Sequence, residues 1–177
     1  MLTNNPQAND TYVTWNNDTV SHLKTCARFI HTPEKIKAGQ PAPITGVAQV
    51  GMSGLSKVQY WLHPQDEPLA KDDPYFDKGE WKDADILGPP YHWGGGLPNG
   101  KLPPVPRQFD AATGKPHRWP LPNTTVHWAT LLTAARPGKY DLRCRTIDVN
   151  GIAQPMPRPF PKSGHNVIQR VQVIVET

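Results

Sequence analysis

Proline restricts the fold of this chain more than any other residue type, because it is concentrated in one segment. Of the 21 prolines in the 177 residues, 12 lie between residues 63 and 123, together with the run Gly94–Gly96. Each proline removes a backbone hydrogen-bond donor, so an extended sheet through this segment is disfavoured. The segment is also too long for a simple connection, which is typical of an ordered functional or interface loop. Trp81, Trp93 and Trp119 within it predict that it packs onto the rest of the domain.

Outside this segment, apolar and polar residues alternate as they do in half-buried β-strands. In the run 139–148, Tyr140 and Leu142 share one face, whereas Arg143 and Arg145 share the other. Six or seven such runs predict strands, at residues 23–30, 44–50, 55–62, 81–87, 124–133, 139–148 and 167–176. Strands punctuated by proline and glycine turns predict an all-β fold, a β-sandwich. Tyr140 opens its strand just after a Pro-Gly turn, like the tyrosine corner of such sandwiches.

Composition and charge exclude several classes of protein. No stretch approaches about 18 consecutive apolar residues, so no transmembrane helix is expected. The 19 basic residues are scattered and the net charge is only +4, which argues against a nucleic-acid binder, in which they would be clustered. The start of the chain is polar, so no signal peptide is expected, and residues 1–21 are predicted to be a linker or arm from a preceding domain.

The potentially reactive side chains follow no known catalytic or metal-binding spacing. Cys26 and Cys144 form neither a disulfide scaffold nor a CxxC pair, and two alternatives stay open for them: a bridge between strands, or two free buried thiols. Four of the seven histidines lie in or beside the proline-rich segment: His63, His92, His117 and His127. They would have to converge to hold a metal, whereas surface or packing histidines are more common. No metal site is predicted, and a metal-dependent enzyme is the least favoured hypothesis.

Arg143 and Arg145 are the most informative charged pair, because their spacing puts both on one face of a strand. Two neighbouring like charges need either solvent or an anion beside them. One hypothesis places both side chains on the wet face of a sheet. The other places them at an interface or in an anion pocket, with Asp141 or a partner surface supplying the negative charge.

The second half of the chain resembles a known family. The stretch 138–148, followed by Asn150-Gly151, Gln154-Pro155 and the run 166–171, is similar to the C-terminal dimerisation domain of sulfite-oxidase-type molybdopterin oxidoreductases. The shared pattern is G-x-Y-x-L-x-x-R-x-x-D-x-x-G-x-x-Q-P, then Asn and Arg-Val before a closing β-run. The resemblance implies an immunoglobulin-like β-sandwich over residues 22–177, with a long Pro-, Gly- and Trp-rich inserted loop at about 63–123, whose main role is subunit pairing.

The resemblance also implies where the chemistry lies. A separate domain would hold the molybdenum cofactor, since neither cysteine here matches its thiolate ligand, so no catalytic residue, cofactor or metal is expected in this chain itself. The family places one arginine near the substrate from the loop before the last strand, and the matching stretch 160–166 of this chain contains no arginine. Arg158, Lys162 and His165 are therefore the candidates for contacts to an oxyanion substrate. The candidate interface residues are Arg143, Arg145, Trp81, Trp93 and Trp119.

The expected partners are the cofactor domain of the parent enzyme and a second copy of the chain, without nucleic acid and without a membrane span. Bacterial members of the family are often exported, so a periplasmic location follows if the parent enzyme is one of these. The alternative hypothesis is a stand-alone immunoglobulin-like module that binds carbohydrate or protein. Its aromatic platform would consist of Trp81, Tyr91, Trp93 and Trp119.

Overall fold

The computed structural model describes residues 26–49, 51, 53–73, 75–89, 108–110, 115–154 and 168–177. Over these residues the protein is all-β, which confirms the fold class predicted from the sequence. The eight strands in this part of the chain are β1 (Cys26–His31), β2 (Lys35–Lys37), β3 (Ala42–Gln49), β4 (Leu55–Pro64), β5 (Lys82–Ile86), β6 (Thr125–Leu132), β7 (Gly138–Asp148) and β8 (Gln169–Glu176). The predicted arm at residues 1–21 lies outside the described residues.

These strands form one sheet that curls onto itself. Their order is β1-β3-β6-β5-β4-β7-β8-β2, and neighbouring strands are antiparallel except for the parallel pair β2 and β8. β5 joins the two halves of the sheet, because Lys82–Ala84 pair with β4 whereas Asp85 and Ile86 pair with β6. Buried side chains of both halves belong to one core cluster, so the halves face each other like the two layers of a sandwich.

The core is built from the inward-facing residue at every second strand position. Its fully buried side chains come from both halves of the sheet: Ile44, Val126, Trp128 and Leu132 from one, and Val58, Leu142 and Val173 from the other. Trp128 is the largest of them, and Phe29 packs edge-on against it with ring centroids 5.5 Å apart. A Cβ at Gly46 would overlap the Trp128 indole, so this glycine is what lets β3 lie beneath the ring.

β2 lies where the sequence predicts no strand and a turn from Lys37 onwards. Ile36 is buried, whereas Lys35 and Lys37 on either side of it are exposed. Three residues are too few to show an alternating pattern, and the strand is held by its pairing with residues 174–176 of β8, far away in the sequence. The seven other strands overlap the predicted runs.

Part of the proline-rich segment covers the sheet. β4 extends to Pro64, and residues 65–81, here named the covering loop, pass over the outer face of β4 and β7; residue 74 of this loop lies outside the described residues. Trp81 at its end contacts Trp61 of β4, with ring centroids 5.6 Å apart. The Trp81 indole N–H also donates to the carbonyl of Phe76 at 2.7 Å, which closes the loop on itself.

The part of the proline-rich segment around Trp119 packs against the core cluster and not on the outer face of β4 and β7. Trp119 lies against the core cluster, and its indole N–H donates to the carbonyl of Leu87 at 2.8 Å. The predicted packing is therefore confirmed for Trp81 and Trp119. Trp93 lies outside the described residues.

Candidate functional site

The outer face of β7 gathers three of the predicted site residues. The alternation of this strand turns Tyr140 and Cys144 to the core and Arg143 and Arg145 outward, as predicted. Both arginines are nevertheless at most 8% exposed, because the covering loop lies over them. The hypothesis that they lie on the wet face of the sheet is therefore wrong. Trp81, the third predicted site residue, belongs to the cover.

Arg145 is held between the sheet and the covering loop. Its Nε donates to Oε1 of Gln59 on β4 at 3.0 Å. Its guanidinium carbon lies 4.2 Å from the centroid of the Trp81 ring, a cation–π contact. On the loop side, Nη1 lies 3.8 Å from the carboxylate of Asp77, and the charge of Asp73 also acts on it. The loop thus supplies both an aromatic face and negative charge to this arginine.

Arg143 lies two residues before Arg145 on the same face of β7, and its guanidinium group is between two aromatic rings. Its guanidinium carbon is 5.4 Å from the centroid of Trp61 and 5.1 Å from that of Phe76. Its Nη2 donates to Oδ2 of Asp141 at 3.0 Å, and the side-chain amide of Gln65 donates to the other oxygen of that carboxylate at 2.8 Å. Arg143 and Asp141 therefore form a buried ion pair that is covered by the rings of Trp61 and Phe76.

Burial disfavours the charged form of both arginines. It lowers the pKa of Arg143, while Asp141 opposes the shift, and it lowers the pKa of Arg145, while Asp77 and Asp73 oppose it. An arginine side chain nevertheless stays protonated at neutral pH, because its ordinary pKa is above 12. The outer face of β7 therefore carries two permanent cations in surroundings of low polarity.

The other predicted site residues do not join this cluster. Trp119 lies beside Leu87, after β5, and not next to Trp81. The candidate oxyanion contacts Arg158, Lys162 and His165 lie outside the described residues.

Six residues of the cluster were not predicted: Gln59, Trp61, Gln65, Asp73, Phe76 and Asp77. The register of the sheet brings two of them to the arginines, because Gln59 is opposite Arg145 and Trp61 is opposite Arg143 in the pairing of β4 with β7. The sequence shows Gln59 and Trp61 on one face of a strand, but it does not show which strand lies beside that face.

Tyr140 forms the predicted tyrosine corner. Its hydroxyl donates to the backbone carbonyl of Arg136, four residues upstream, at 2.8 Å. This bond fixes the turn that leads into β7, as the tyrosine corner does in β-sandwiches.

Two further residues of the family-like pattern join distant parts of the chain. Oδ1 of Asp148 accepts hydrogen bonds from the backbone N–H groups of Asn150 and Ile152, both at 2.9 Å, and so closes the turn after β7. The buried Oε1 of Gln154 accepts from the backbone N–H of Ala27 on β1 at 3.0 Å. Tyr140, Asp148 and Gln154, which belong to the family-like pattern, therefore have structural roles in the fold.

The described thiols and histidines form no reactive centre. Cys26 and Cys144 are free, which decides between the two alternatives left open for them. Burial raises the pKa of both thiols, that of Cys144 to about 12, so neither is a ready nucleophile at neutral pH. Among the described residues, no group of three or more histidine, cysteine, aspartate or glutamate side chains is placed to hold a metal ion.

The opposite outer face of the sheet is a second candidate site. This bare face, on β1, β3 and β6, is apolar at one end, where Ile30, Pro43 and Leu131 lie. The rest of it carries Thr45, Val47 and Ala129 together with the exposed Arg28, His31 and His127. Ile30 and Leu131 are each 60% exposed, the largest exposed fractions among the large apolar residues described. Ile30 sits at a bulge, where the register of β1 shifts between Phe29 and His31, and Leu131 is opposite Pro43. Exposed apolar residues on neighbouring strands are typical of an interaction surface.

The sequence was compared with protein-family models and with curated proteins. The sequence matches no protein-family model and no curated protein. Across the part of the chain that the structure describes, no helix has the length and apolar character needed to cross a membrane.

Proposed function

We propose that this chain is the dimerisation and docking domain of a sulfite-oxidase-type molybdopterin oxidoreductase. In this proposal it is an immunoglobulin-like β-sandwich that holds two copies of the enzyme together as a dimer and forms part of the wall of the active site. A separate domain holds the molybdenum cofactor and carries out the chemistry. The observation that carries the proposal is the bare face, on which Ile30 and Leu131 are each 60% exposed.

The structural roles of the pattern residues support the resemblance. Tyr140 fixes a corner, Asp148 closes a turn and Gln154 ties β1 to the end of β7. These roles are structural, so the pattern specifies the fold of the domain, whereas its function has to be argued from its surfaces.

A second copy of this chain is the occupant that suits the bare face. A two-fold axis parallel to the strands would place β1 of one copy over β5 of its mate. In the register of the sheet, Asp85 on β5 is level with His31 on β1, so Asp85 of one copy would face His31 of its mate, with Arg28 two rows away along the strands. The side chains of Arg28, His31 and Asp85 are all exposed in the single chain. Apolar contacts in the centre with opposite charges at the rim are the ordinary anatomy of a protein interface.

Sedimentation equilibrium of the purified chain tests the pairing. We expect a dimer, and Leu131→Glu should raise its dissociation constant by at least about tenfold, because it places a charge at the apolar end of the bare face. Ile152→Glu is the matched control, since Ile152 is 45% exposed after β7 and away from the bare face. A monomer at all concentrations, or equal effects of the two variants, would contradict the proposal.

The link to a molybdenum enzyme needs its own measurement. The tagged chain, expressed in its own host, should co-purify with a cofactor domain whose molybdenum is detected by elemental analysis of the complex. Recovery of the chain with no molybdenum-containing partner would leave a dimeric module without the proposed enzyme. The two experiments therefore separate the pairing from the family assignment.

The alternative of an aromatic platform receives less support from the described residues. The Trp81 ring is covered by Arg145 on one side and contacts Trp61, and its N–H is bonded to Phe76. Arg145 therefore occupies one of the two ring faces on which a sugar could stack. Of the other platform residues, Trp119 packs against the core cluster and donates to the carbonyl of Leu87, away from Trp81. Tyr91 and Trp93 lie outside the described residues.

A further inference from the structure

Three guanidinium groups meet on the outer face of β7 and β8. Arg143 lies directly opposite Arg170 in the register of these strands, and Arg145 follows two residues along the same face of β7. Like charges directly opposite each other on neighbouring strands destabilise a sheet. Burial is the main cause that lowers the pKa of Arg143, and the charge of Arg170 lowers it further.

The nearby carboxylates balance this cluster incompletely. Asp141 accepts from Nη2 of Arg143 at 3.0 Å and lies 3.5 Å from Nη1 of Arg170, so two arginines share one buried carboxylate. Asp77 comes no closer than 3.8 Å to Arg145, and its side chain is 72% exposed, so water screens its charge. Arg145 is therefore the cation with the weakest direct compensation.

Two nitrogens of the cluster are buried without a hydrogen-bond acceptor. Nη1 of Arg143 and Nη1 of Arg145 have none among the residues that the structure describes. The rings of Trp61, Phe76 and Trp81 hold the two guanidinium groups in place, so these nitrogens cannot turn freely to water. A buried, charged donor that lacks an acceptor costs free energy. Two such donors, one on each neighbouring arginine, indicate a ligand with several acceptor oxygens.

The geometry points to an oxyanion site beneath the covering loop, in which Arg143 and Arg145 bind one small inorganic anion of the phosphate or sulfate class. The Nη1 groups of both arginines donate to its oxygens, and Arg170, whose side chain is 64% exposed, lies beside Arg143 on β8. The planar guanidinium group matches such oxygens well. The covering loop then has to lift for the anion to enter. This site does not depend on the proposed function.

Titration calorimetry with inorganic phosphate tests the site, using the full chain in a chloride buffer of constant ionic strength. We expect saturable binding to one site per chain below about 10 mM, and competition by sulfate. Arg145→Gln should weaken binding by about tenfold or more, because it removes a charged buried donor. Arg170→Gln should weaken it by about threefold, as expected for an exposed cation.

Lys35→Gln is the charge-matched control, because Lys35 lies on β2 and pairs with Glu176 away from the cluster. It should bind phosphate like the unmodified chain. If Arg145→Gln does not fold by circular dichroism, the comparison of Arg170→Gln with Lys35→Gln decides. No saturable binding of phosphate or sulfate, or equal affinities of Arg170→Gln and Lys35→Gln, would overturn the inference.

Discussion

The guanidinium carbon of Arg145 lies 4.2 Å from the centroid of the Trp81 ring, and this contact fastens the covering loop to β7. From the side of the sheet, Oε1 of Gln59 accepts a hydrogen bond from the Nε of the same arginine at 3.0 Å. Arg145 is thus both a strand residue and the anchor of a loop. Its burial follows from the docking of that loop.

Trp81→Ala removes the aromatic side of this anchor. We expect it to lower the free energy of unfolding by about 2 kcal/mol, because a desolvated cation–π contact and half-buried indole surface are lost together. Limited proteolysis should then cut the covering loop faster. Tyr75→Ala, at an aromatic residue of the same loop that is 49% exposed, is the matched control. Equal destabilisation by both variants would show that the contact with Arg145 has no special role.

Tyr140→Phe removes only the hydroxyl of the tyrosine corner. The bond to the carbonyl of Arg136 is 2.8 Å long, so its loss should lower the free energy of unfolding by about 1 kcal/mol. Urea denaturation measures this change, and Tyr75→Phe provides an exposed tyrosine for comparison. An unchanged denaturation midpoint for Tyr140→Phe would contradict a stabilising corner.

Gln154→Met replaces an amide by an apolar side chain of similar shape. It leaves the buried N–H of Ala27 without its acceptor, which should cost about 1–3 kcal/mol. Hydrogen exchange at Ala27 should accelerate, because β1 is an edge strand and this bond ties it to the end of β7. Gln172→Met on exposed β8 surface is the control, and exchange at Ala27 should not change in it.

The ionisation of Asp148 makes the stability of the fold depend on pH in the acidic range. Burial by itself would raise the pKa of this carboxyl group, but hydrogen bonds from Ile152, Ser53 and Asn150 outweigh it and hold the pKa below its ordinary value of 3.8. Because the folded pKa is below the unfolded one, the contribution is fully present well above pH 3.8 and is lost as the pH falls through the folded pKa.

Asp148→Asn should therefore lower the stability at neutral pH and flatten the acid limb of the stability profile. Chemical denaturation at a series of pH values from neutral down to about pH 2 measures both effects. Glu80→Gln, at an exposed carboxylate of the covering loop, is the control. An acid limb as steep in Asp148→Asn as in the unmodified chain would rule out this role of Asp148.

The two thiols should differ from ordinary surface cysteines in their reactivity. Burial raises the pKa of Cys144 to about 12, and its side chain is fully buried. Iodoacetamide at about pH 8 should therefore leave Cys144 unmodified in the native protein and alkylate it in denaturant, as mass spectrometry can follow. Cys26, which is half-buried, should react slowly in the native state. Rapid native alkylation of Cys144 would be incompatible with the described core.

Much of the sheet is visible as local patterns in the chain. The alternation correctly groups Val58 with Tyr60 on one face of β4, and Tyr140 with Leu142 on one face of β7, and in the folded protein these faces belong to the core. The Pro-Gly turn ahead of Tyr140 correctly marks a tyrosine corner. These features depend on residues that are close in sequence, because a strand turns successive side chains to opposite faces whatever lies beside it.

Long-range contacts account for what these patterns miss. Gln59 and Arg145 are 86 residues apart, and Ile36 of β2 pairs with Val175 at the other end of the chain. A strand pattern shows that Arg143 and Arg145 share a face, but burial of that face depends on a loop that returns over it and on the aromatic rings that the loop brings. The direction of a side chain is thus a property of the local backbone, whereas its solvent exposure is settled by packing between segments that meet only in the folded protein.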